Sequence, residues 1–464
     1  MTEHLIKQEE GLQRALTDRQ LTMIAIGGAI GTGLFMGSGI AIGYAGPGVL
    51  LSYVITACIA VIMMFSLSEM AVVHPTAGSF GTYAEMYINP LVGYIVRYTY
   101  WAAQVIAIGS EAVAVGIYMQ YWFPVIPVWL WTLGFGAIII YVNSRSVGNF
   151  GTIEYWFAMI KVVAIVLFII FGISVVLGIG HSNALGFNHY TDNNGFFPNG
   201  LKGVWMGIIM AIFSFYGVEI IAVTAGESKN PQKAVPKAMK TMIIRLFLFY
   251  ILSLAIILAV IPWTHAGAHV VQESPFVKVF ESSGIRYAAG IMNFVVLTAA
   301  LSSMNTNLYL TSRMLFSLSR GNYAPRALGD LSKNGTPTNA ILASSGGVLI
   351  ASLVSFFSPM AFNYLFGVAL FGGILVWIII LVSHLNFRKS VHLYHSGPLP
   401  VKAPLFPILQ WIGILFLSAI LITMAFSPDF RVAWIVGLPF IIIISVTYLL
   451  RRKNVSGFAR HLKS

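Results

Sequence analysis

The segment Gly27-Gly28-Ala29-Ile30-Gly31-Thr32-Gly33-Leu34-Phe35 places four glycines within seven residues of an apolar stretch about long enough to cross a bilayer. Glycine weakens a helix interior, so the pattern predicts a helix that is interrupted inside the membrane. An unwound backbone survives in hydrocarbon only where it is buried in protein or lines a cavity. The segment therefore predicts a polar guest at this point. Alternatively, the glycines allow close helix packing, since Gly27 with Gly31 and Gly33 with Gly37 form pairs of small residues four apart.

Composition assigns the chain to the integral membrane proteins. Of its 464 residues, 58% are hydrophobic and 9% are charged, a balance that soluble globular chains do not have. Long apolar stretches of spanning length predict an all-α protein with twelve transmembrane helices. These stretches cover about residues 21–45, 48–73, 93–122, 127–143, 151–178, 201–225, 239–262, 285–317, 338–357, 361–385, 405–426 and 430–450. They form one predicted transmembrane domain, 21–450, between an N-terminal tail, 1–20, and a C-terminal tail, 451–464.

The distribution of basic residues predicts that both tails are cytoplasmic. The chain has 27 Lys and Arg residues and a net charge of +12. All but five of these residues lie in the tails or in the loops that this orientation places inside the cell, as the positive-inside rule requires. The exceptions are Lys161, within the fifth stretch, and Lys202, Lys278, Arg286 and Arg431 on the opposite side. Topology therefore explains the charge, and no nucleic-acid partner is expected.

A second interruption lies in the sixth stretch, at Phe213-Ser214-Phe215-Tyr216-Gly217-Val218-Glu219. The two interrupted stretches begin two sets of five helices, about 21–178 and 201–385, with the last two helices, 405–450, outside the sets. Because five is odd, the two sets must cross the membrane in opposite orientations. This is the inverted repeat of secondary transporters, whose binding site lies near the midplane at the paired breaks.

Further motifs accompany the two breaks. They are Thr76-Ala77-Gly78-Ser79-Phe80-Gly81-Thr82-Tyr83-Ala84, Glu154-Tyr155-Trp156-Phe157-Ala158-Met159-Ile160-Lys161, Glu227-Ser228-Lys229-Asn230-Pro231 with Pro236, and Ser312-Arg313-Met314-Leu315. Together with the breaks, these residues resemble bacterial amino acid permeases of the amino acid, polyamine and organocation (APC) superfamily, in their amino acid transporter branch. The resemblance runs nearly end to end. It implies a five-plus-five inverted-repeat fold and transport of an amino acid.

The two breaks are the expected substrate site. The start of a helix near Gly31 presents free amides and the positive end of a dipole, which suits the substrate carboxylate. The predicted binding residues there are Ala29, Ile30, Gly31, Thr32 and Gly33, with Thr32 adding a hydroxyl. The resemblance implies that free carbonyl oxygens at the second break accept hydrogen bonds from the substrate ammonium. The predicted residues there are Phe213, Ser214, Phe215, Tyr216 and Gly217, with Phe215 or Tyr216 as an aromatic gate or, alternatively, a packing contact.

Lys161 is the predicted coupling residue. It lies about ten residues into the fifth stretch, or ~15 Å along a helix, which is near the midplane. A charge there costs roughly 2.5–3.5 kcal/mol and so marks a pathway or relay. In sodium-coupled relatives of this fold an ion lies between the first helix and the fifth or eighth, whereas a lysine on the fifth marks members that resemble proton-coupled carriers. We therefore expect Lys161 to couple transport to protons or to replace the cation, with a structural tether as the alternative.

Three other polar residues of the spans are candidates for the site. Glu219, just past the second break, is a second candidate proton carrier, or else it fixes the helix by accepting backbone hydrogen bonds. Ser110 and Glu111, in the third stretch, are expected to face the substrate chamber. An ionised Glu111 would favour a cationic ligand, whereas a protonated one would only donate or accept a hydrogen bond.

The remaining polar residues of the spans have predicted structural or supporting roles. Ser302, Ser303 and Asn305 are expected to contact Lys161 or the first helix, or to be ordinary helix contacts. Glu69, Glu154 and Glu227 fall near the predicted cytoplasmic ends of their helices and are expected to be interfacial or capping residues.

An intramembrane enzyme is disfavoured by the same sequence. All ten histidines fall in tails, loops or predicted helix ends, and neither H-E-x-x-H nor G-x-S-x-G occurs. The single cysteine, Cys58, offers no metal site, and neither a metal nor a cofactor is expected. A channel would need a continuous polar lining. A non-transporting receptor would share all of these features, and only flux would distinguish it from a carrier.

The sequence thus predicts a carrier of the bacterial plasma membrane that imports an amino acid with a proton by alternating access. Its expected partners are the amino acid, the proton and the lipid bilayer. The expected substrate is a neutral L-amino acid such as proline, serine, threonine, an aromatic amino acid or 4-aminobutyrate. A cationic amino acid is the alternative because of Glu111, and histidine transport or amino acid exchange also stays open.

Overall fold

The computed structural model describes residues 30–76, 78–145, 147–179, 186–219, 222, 231–267, 274–285, 287–333, 335–391 and 399–461. Helices dominate these residues, and no strand occurs among them. The all-α prediction is therefore confirmed for this part of the chain. Among the predicted features, Gly27, Gly28 and Ala29 of the first break and residues 227–230 after the second lie outside the described residues.

The helices follow the predicted apolar stretches. The first half contains α1 (Ser38–Ala45), α2 (Val49–Val73), α3 (Ser79–Tyr87), α4 (Pro90–Gln120), α5 (Val128–Arg145) and α6 (Val147–Val176). The second half contains α7 (Gly200–Phe215), α8 (Pro231–Leu246), α9 (Ser253–Val260), α10 (Trp263–Ala266), α11 (Pro275–Ser282), α12 (Ala288–Arg320), α13 (Thr338–Ser344), α14 (Gly346–Phe357), α15 (Ala361–Ser390), α16 (Ile408–Phe426) and α17 (Arg431–His461). π-Helical turns precede α1 (Gly33–Gly37) and α9 (Phe247–Leu252), and 3₁₀ turns lie at Gly46–Gly48, Asn188–Tyr190 and Arg326–Gly329.

Nine helical stretches in the described part of the chain are long and apolar enough to cross a membrane. The first of them, Gly33–Val73, covers residues 33–45 of the first predicted span and all of the second. These two spans are separated by the turn at Gly46–Gly48, where Gly46 has a φ of +57°. Helix α7 is apolar but shorter, with 16 residues. The count of twelve spans and the inverted repeat stay predictions.

Three long helices, α4, α12 and α15, form the centre of the helical bundle. In their most apolar windows 78%, 78% and 72% of the residues are buried, against 17% for α17 at the periphery. Helix α12 packs against α4 and α6, whereas α1 and the π-helical turn before it pack against α7. The first break therefore lies beside α7, which leads into the second break, and the lysine-bearing α6 lies against the central helix α12.

Two of the sequence predictions fail near the end of α15. His384 is fully buried, although the histidines were expected only in tails, loops or helix ends. The reason is that α15 continues to Ser390, beyond the predicted end at residue 385, so His384 lies inside the helix. Glu69 is also buried rather than interfacial. Its carboxylate accepts hydrogen bonds from Arg388 (2.9 Å) and from the backbone N–H of Ala403 (2.8 Å), and joins three chain segments.

Candidate functional site

A small cavity lies between the start of the first helix and helices α4, α7 and α12. Its lining residues are Gly31, Gly33, Ala107, Glu111, Phe213, Ser214, Tyr216, Ser303 and Asn307. All of them except Gly31 are buried. The cavity volume is about 20 Å³, which is room for about one water molecule. A bound amino acid would therefore require the walls to move apart.

The cavity brings together residues from both predicted breaks and from the third span. Six predicted substrate residues line it, namely Gly31, Gly33, Phe213, Ser214, Tyr216 and Glu111. Four others, Ile30, Thr32, Phe215 and Ser110, are buried nearby but are not lining residues, and neither is Gly217. The ring of Phe215 packs against Tyr250 instead, with ring centroids 4.9 Å apart. Of the two expected gate residues, Tyr216 is thus the one at the cavity.

The first break approaches its neighbours at the distance of backbone contact. A Cβ atom on Gly33 would lie 2.7 Å from the Cα of Ser214, and one on Gly31 would lie 2.9 Å from the Oγ of Ser303. A side chain at Gly33 would meet the backbone of Ser214 and force the helices apart, whereas one at Gly31 would displace the side chain of Ser303. Gly31 and Gly33 therefore allow close packing and border the cavity at the same time.

The second break is a sharp turn that a carboxylate stabilises. Helix α7 ends at Phe215, Tyr216 is extended and Gly217 has a φ of +104°, a region that favours glycine. The carboxylate of Glu219 accepts hydrogen bonds from the N–H of Gly217 (3.1 Å) and from the hydroxyl of Tyr100 (3.2 Å). Glu219 therefore has the backbone contact that was expected of a residue fixing the helix end.

Three carbonyl oxygens of the second break, those of Phe213, Ser214 and Phe215, accept hydrogen bonds and so are not free as expected. The carbonyl of Phe213 accepts from the N–H of Tyr216 (3.0 Å), and that of Phe215 accepts from the N–H of Val218 (3.4 Å). The carbonyl of Ser214 accepts from the hydroxyl of Tyr250 (2.7 Å). The tight turn and an aromatic residue from a later helix satisfy these groups. Nothing in the local sequence indicates the tyrosine contact.

Lys161 is fully buried on α6 and contacts the first break. Its Nζ donates to the carbonyl oxygen of Ile30 (2.9 Å) and to the Oγ of Ser302 on α12 (2.7 Å). The expected contacts of Lys161 with the first helix and with the eighth span are therefore both present. The neighbouring Ser303 donates to the carboxylate of Glu111 at the cavity wall (2.8 Å).

Glu154 belongs to the same cluster, and its predicted interfacial or capping role is wrong. Its side chain is fully buried and accepts hydrogen bonds from the Oγ of Ser302 and from the Nδ2 of Asn305 (3.2 Å). Asn143 on α5 in turn donates to the Oδ1 of Asn305 (2.7 Å). The sequence predicted the wrong environment for Glu154 because α6 begins before the predicted span. The partners of Glu154, Ser302 and Asn305, also lie about 150 residues away along the chain.

The family of the chain follows from comparison with known proteins. The sequence model of the amino acid permease family matches residues 20–458. The chain belongs to the amino acid permease family. The permease is 44% identical over 446 residues to the uncharacterized amino acid permease YtnA of Bacillus subtilis. The aligned residues cover 95% of this chain and 96% of that protein.

Two other relatives of the permease are named for their substrates. It is 42% identical over 451 residues to the gamma-aminobutyric acid permease of Bacillus subtilis, covering 97% of this chain and 95% of the relative. It is 37% identical over 454 residues to the aromatic amino acid transport protein AroP of Escherichia coli K12, covering 97% and 98%. The resemblance to bacterial APC-superfamily permeases is thus confirmed. The permease belongs to a family of transporters rather than enzymes and is a multi-pass protein of the bacterial plasma membrane.

Proposed function

We propose that the permease imports an amino acid together with a proton and exposes one central site alternately to the two sides of the membrane. The observation that carries this proposal is the hydrogen bond from the ammonium of Lys161 to the carbonyl oxygen of Ile30. It joins a titratable side chain to the backbone of the first break, beside the cavity. Protonation of Lys161 would thereby affect the residues that hold the substrate.

The substrate would bind across the two breaks. Its carboxylate would lie at the start of the first helix, near residues 29–33, where early amide groups lack carbonyl partners and the dipole favours an anion. Its ammonium would lie near Phe213–Gly217. Because Tyr250 already donates to the carbonyl of Ser214, the ammonium would use a second lone pair or displace this contact. Tyr216 would close over the ligand.

Lys161 is the proposed coupling residue, and Glu219 is the alternative proton carrier. A charged ammonium forms stronger hydrogen bonds to a carbonyl than a neutral amine does. Loss of the proton from Lys161 would therefore weaken its contact with Ile30 and release the first break. In the alternative, protonation of Glu219 would weaken its contact with the N–H of Gly217 and loosen the second break.

The proposed substrate class is a neutral L-amino acid. Glu111 is the acidic residue on the cavity wall, and it interacts electrostatically with Lys161. The two charges offset each other, so the site does not require a net charge on the ligand. The substrates in the names of two relatives, 4-aminobutyrate and aromatic amino acids, are neutral zwitterions. The position of Glu111 on the wall favours a cationic amino acid or histidine as the second candidate.

The proposal includes a topology. Twelve helices with a five-plus-five inverted repeat would place both breaks near the midplane, and the basic residues would keep both termini in the cytoplasm. The small, buried cavity supports alternating access, because a site of this size must open to admit an amino acid and can be closed between openings.

Uptake by the purified protein in proteoliposomes tests this function. Labelled proline, serine, threonine, phenylalanine, 4-aminobutyrate, histidine and lysine would be supplied with and without an inward proton gradient, to the native protein and to Lys161→Ala. We expect gradient-driven accumulation of one or two neutral compounds, lost in the variant. Accumulation of lysine would select the cationic alternative. Sodium-driven uptake or pure exchange would overturn proton coupling. The absence of flux for every compound would indicate a non-transporting receptor instead of a carrier.

A further inference from the structure

Glu154 is a buried acid that the coupling proposal above does not use. It lies on α6 seven residues before Lys161, or ~10 Å along the helix axis. Ser302 of α12 lies between the two side chains, since its Oγ accepts a hydrogen bond from Lys161 Nζ at 2.7 Å and donates one to Glu154 Oε1. An ammonium, a hydroxyl and a carboxylate therefore form an unbroken chain of hydrogen bonds.

Hydrogen bonds from neutral side chains hold the carboxylate of Glu154 in place. The Nδ2 of Asn305 donates to its second oxygen, and Asn143 of α5 orients Asn305 by donating to its Oδ1. A second acid that interacts electrostatically with Lys161 is Glu111 of α4, on the cavity side of the lysine. Lys161 thus lies between an acid at the cavity and an acid behind it, and the hydroxyl bridge leads to the second of these.

We infer that Glu154 accepts the coupled proton from Lys161 through the hydroxyl of Ser302 and passes it towards the cytoplasm. In this step an Nζ–H bond of Lys161 breaks as Ser302 takes the proton, while the hydroxyl proton of Ser302 moves to Glu154 Oε1. The products are a neutral amine, an unchanged serine and a neutral carboxylic acid. Glu154 then releases its proton, and Lys161 is reprotonated from outside in the next cycle. This inference rests on the proposed proton symport.

The direction of the step follows from the position of Glu154 in its helix. In the proposed topology the fifth span runs from the cytoplasm outwards, so Glu154 lies closer to the cytoplasm than Lys161 does. Transfer from Lys161 to Glu154 also removes two opposite charges at once. The contact between Lys161 and Ile30 is weakened in the same event, which joins proton transfer to release of the first break.

Glu154→Gln tests the relay, because glutamine keeps the volume of the side chain but cannot accept the proton. Two readouts are compared in proteoliposomes, using the amino acid that the native protein accumulates from the labelled mixture. The first is accumulation under an inward proton gradient, with internal acidification followed by a trapped pH-sensitive dye. The second is counterflow of labelled against unlabelled amino acid at equal pH on both sides. We expect Glu154→Gln to lose accumulation and acidification while it retains counterflow.

Ser302→Ala provides an independent test if glutamine at position 154 impairs folding. It removes the bridging hydroxyl and leaves the acid, so it is expected to give the same split between the two readouts. Ser383→Ala is the matched control, because Ser383 is a buried helical serine that donates only to a carbonyl of its own helix among the contacts described. The relay would be overturned if the variants accumulate substrate and acidify the vesicles like the native protein. It would also be overturned if accumulation and counterflow are lost in parallel, because such a loss indicates a structural role. If the native protein does not couple to protons, the proposed symport itself fails.

Discussion

Gly33 and Gly37 lie one turn apart at the start of the first helix and differ in the space around them. A Cβ on Gly33 would lie 2.7 Å from the backbone of Ser214, whereas a Cβ on Gly37 would meet its nearest neighbour, Phe366, at 3.6 Å. We predict that Gly33→Ala abolishes uptake and destabilises the protein by about 1–3 kcal/mol, because overpacking displaces the two breaks. Gly37→Ala should fold and transport normally. Equal uptake by both variants would show that close contact of the breaks is not required.

Gly373 on α15 provides the space that the ring of Tyr216 occupies. A Cβ on Gly373 would lie 2.5 Å from a ring carbon of Tyr216, whereas a Cβ on Gly367 of the same helix would have only Phe430 nearby, at 3.8 Å. We predict that Gly373→Ala raises the KM for uptake several-fold with little loss of stability, since a ring can shift more easily than a backbone. Gly367→Ala is the control. An unchanged KM in Gly373→Ala would argue against Tyr216 as the gate.

At the scale of single residues, the sequence identifies those polar residues that are unusual in a membrane span. A lysine near the middle of an apolar stretch is conspicuous, so Lys161 was predicted to contact the first break or the eighth span, and it does. Glu154 was missed because an acid close to a predicted helix end resembles an interfacial residue. Its burial depends on Ser302 and Asn305, which reach it only through the tertiary packing of α6 on α12.

Helix α14 approaches α4 most closely at Gly347. A Cβ on Gly347 would lie 1.9 Å from the carbonyl oxygen of Val105, whereas a Cβ on the adjacent Gly346 would have no atom within 4 Å. We predict that Gly347→Ala lowers the melting temperature and the yield of folded protein, with overpacking of about 1–3 kcal/mol as the cause.

Gly346→Ala is the matched control for this prediction. Alanine stabilises a helix by up to about 1 kcal/mol relative to glycine, so this variant should have an unchanged or slightly raised melting temperature. The measurement is thermal unfolding of both variants in the same detergent. Similar melting temperatures would mean that α14 can move away from α4 without loss of stability.

At the scale of the helix, an interruption can be predicted but its hydrogen-bond partners cannot. Glycine and an acid within the sixth apolar stretch indicated the second break, and α7 does end at Phe215. The same pattern did not indicate that Tyr250 donates to the carbonyl of Ser214. Nor did it indicate that the hydroxyl of Tyr53 contacts the hydroxyl of Ser214 (2.9 Å). Aromatic residues are common in spanning helices, so a tyrosine that completes a break resembles one that only packs.

At the scale of the whole molecule, a polar network joins segments on the side that the positive-inside rule assigns to the cytoplasm. Arg97 of α4 donates to Glu85 of α3 (2.6 Å), and the hydroxyl of Tyr323, in the loop after α12, donates to the same carboxylate (2.9 Å). Burial and the nearby Glu85 raise the pKa of Tyr323, so its hydroxyl keeps its proton at physiological pH. Arg451 of α17 donates to the carbonyl of Tyr323 (2.6 Å). Loop charges predicted the side of the membrane, but not that these residues would join four segments.

We predict that Glu85→Gln opens the cytoplasmic side of the permease. Glutamine leaves the buried Arg97 without its counter-charge, which destabilises the closed arrangement. Each 1.4 kcal/mol shifts the equilibrium between the closed and open arrangements about tenfold.

The reporter is Asn307→Cys at the cavity, in a Cys58→Ser background, labelled with a membrane-impermeant maleimide. In inside-out vesicles Glu85→Gln should label faster than the reporter alone. Asp192→Asn, which removes an exposed partner of His189 (3.0 Å), should not change the rate. Faster labelling only in right-side-out vesicles would reverse the proposed orientation, whereas unchanged labelling in both would show that the network does not hold the cavity closed.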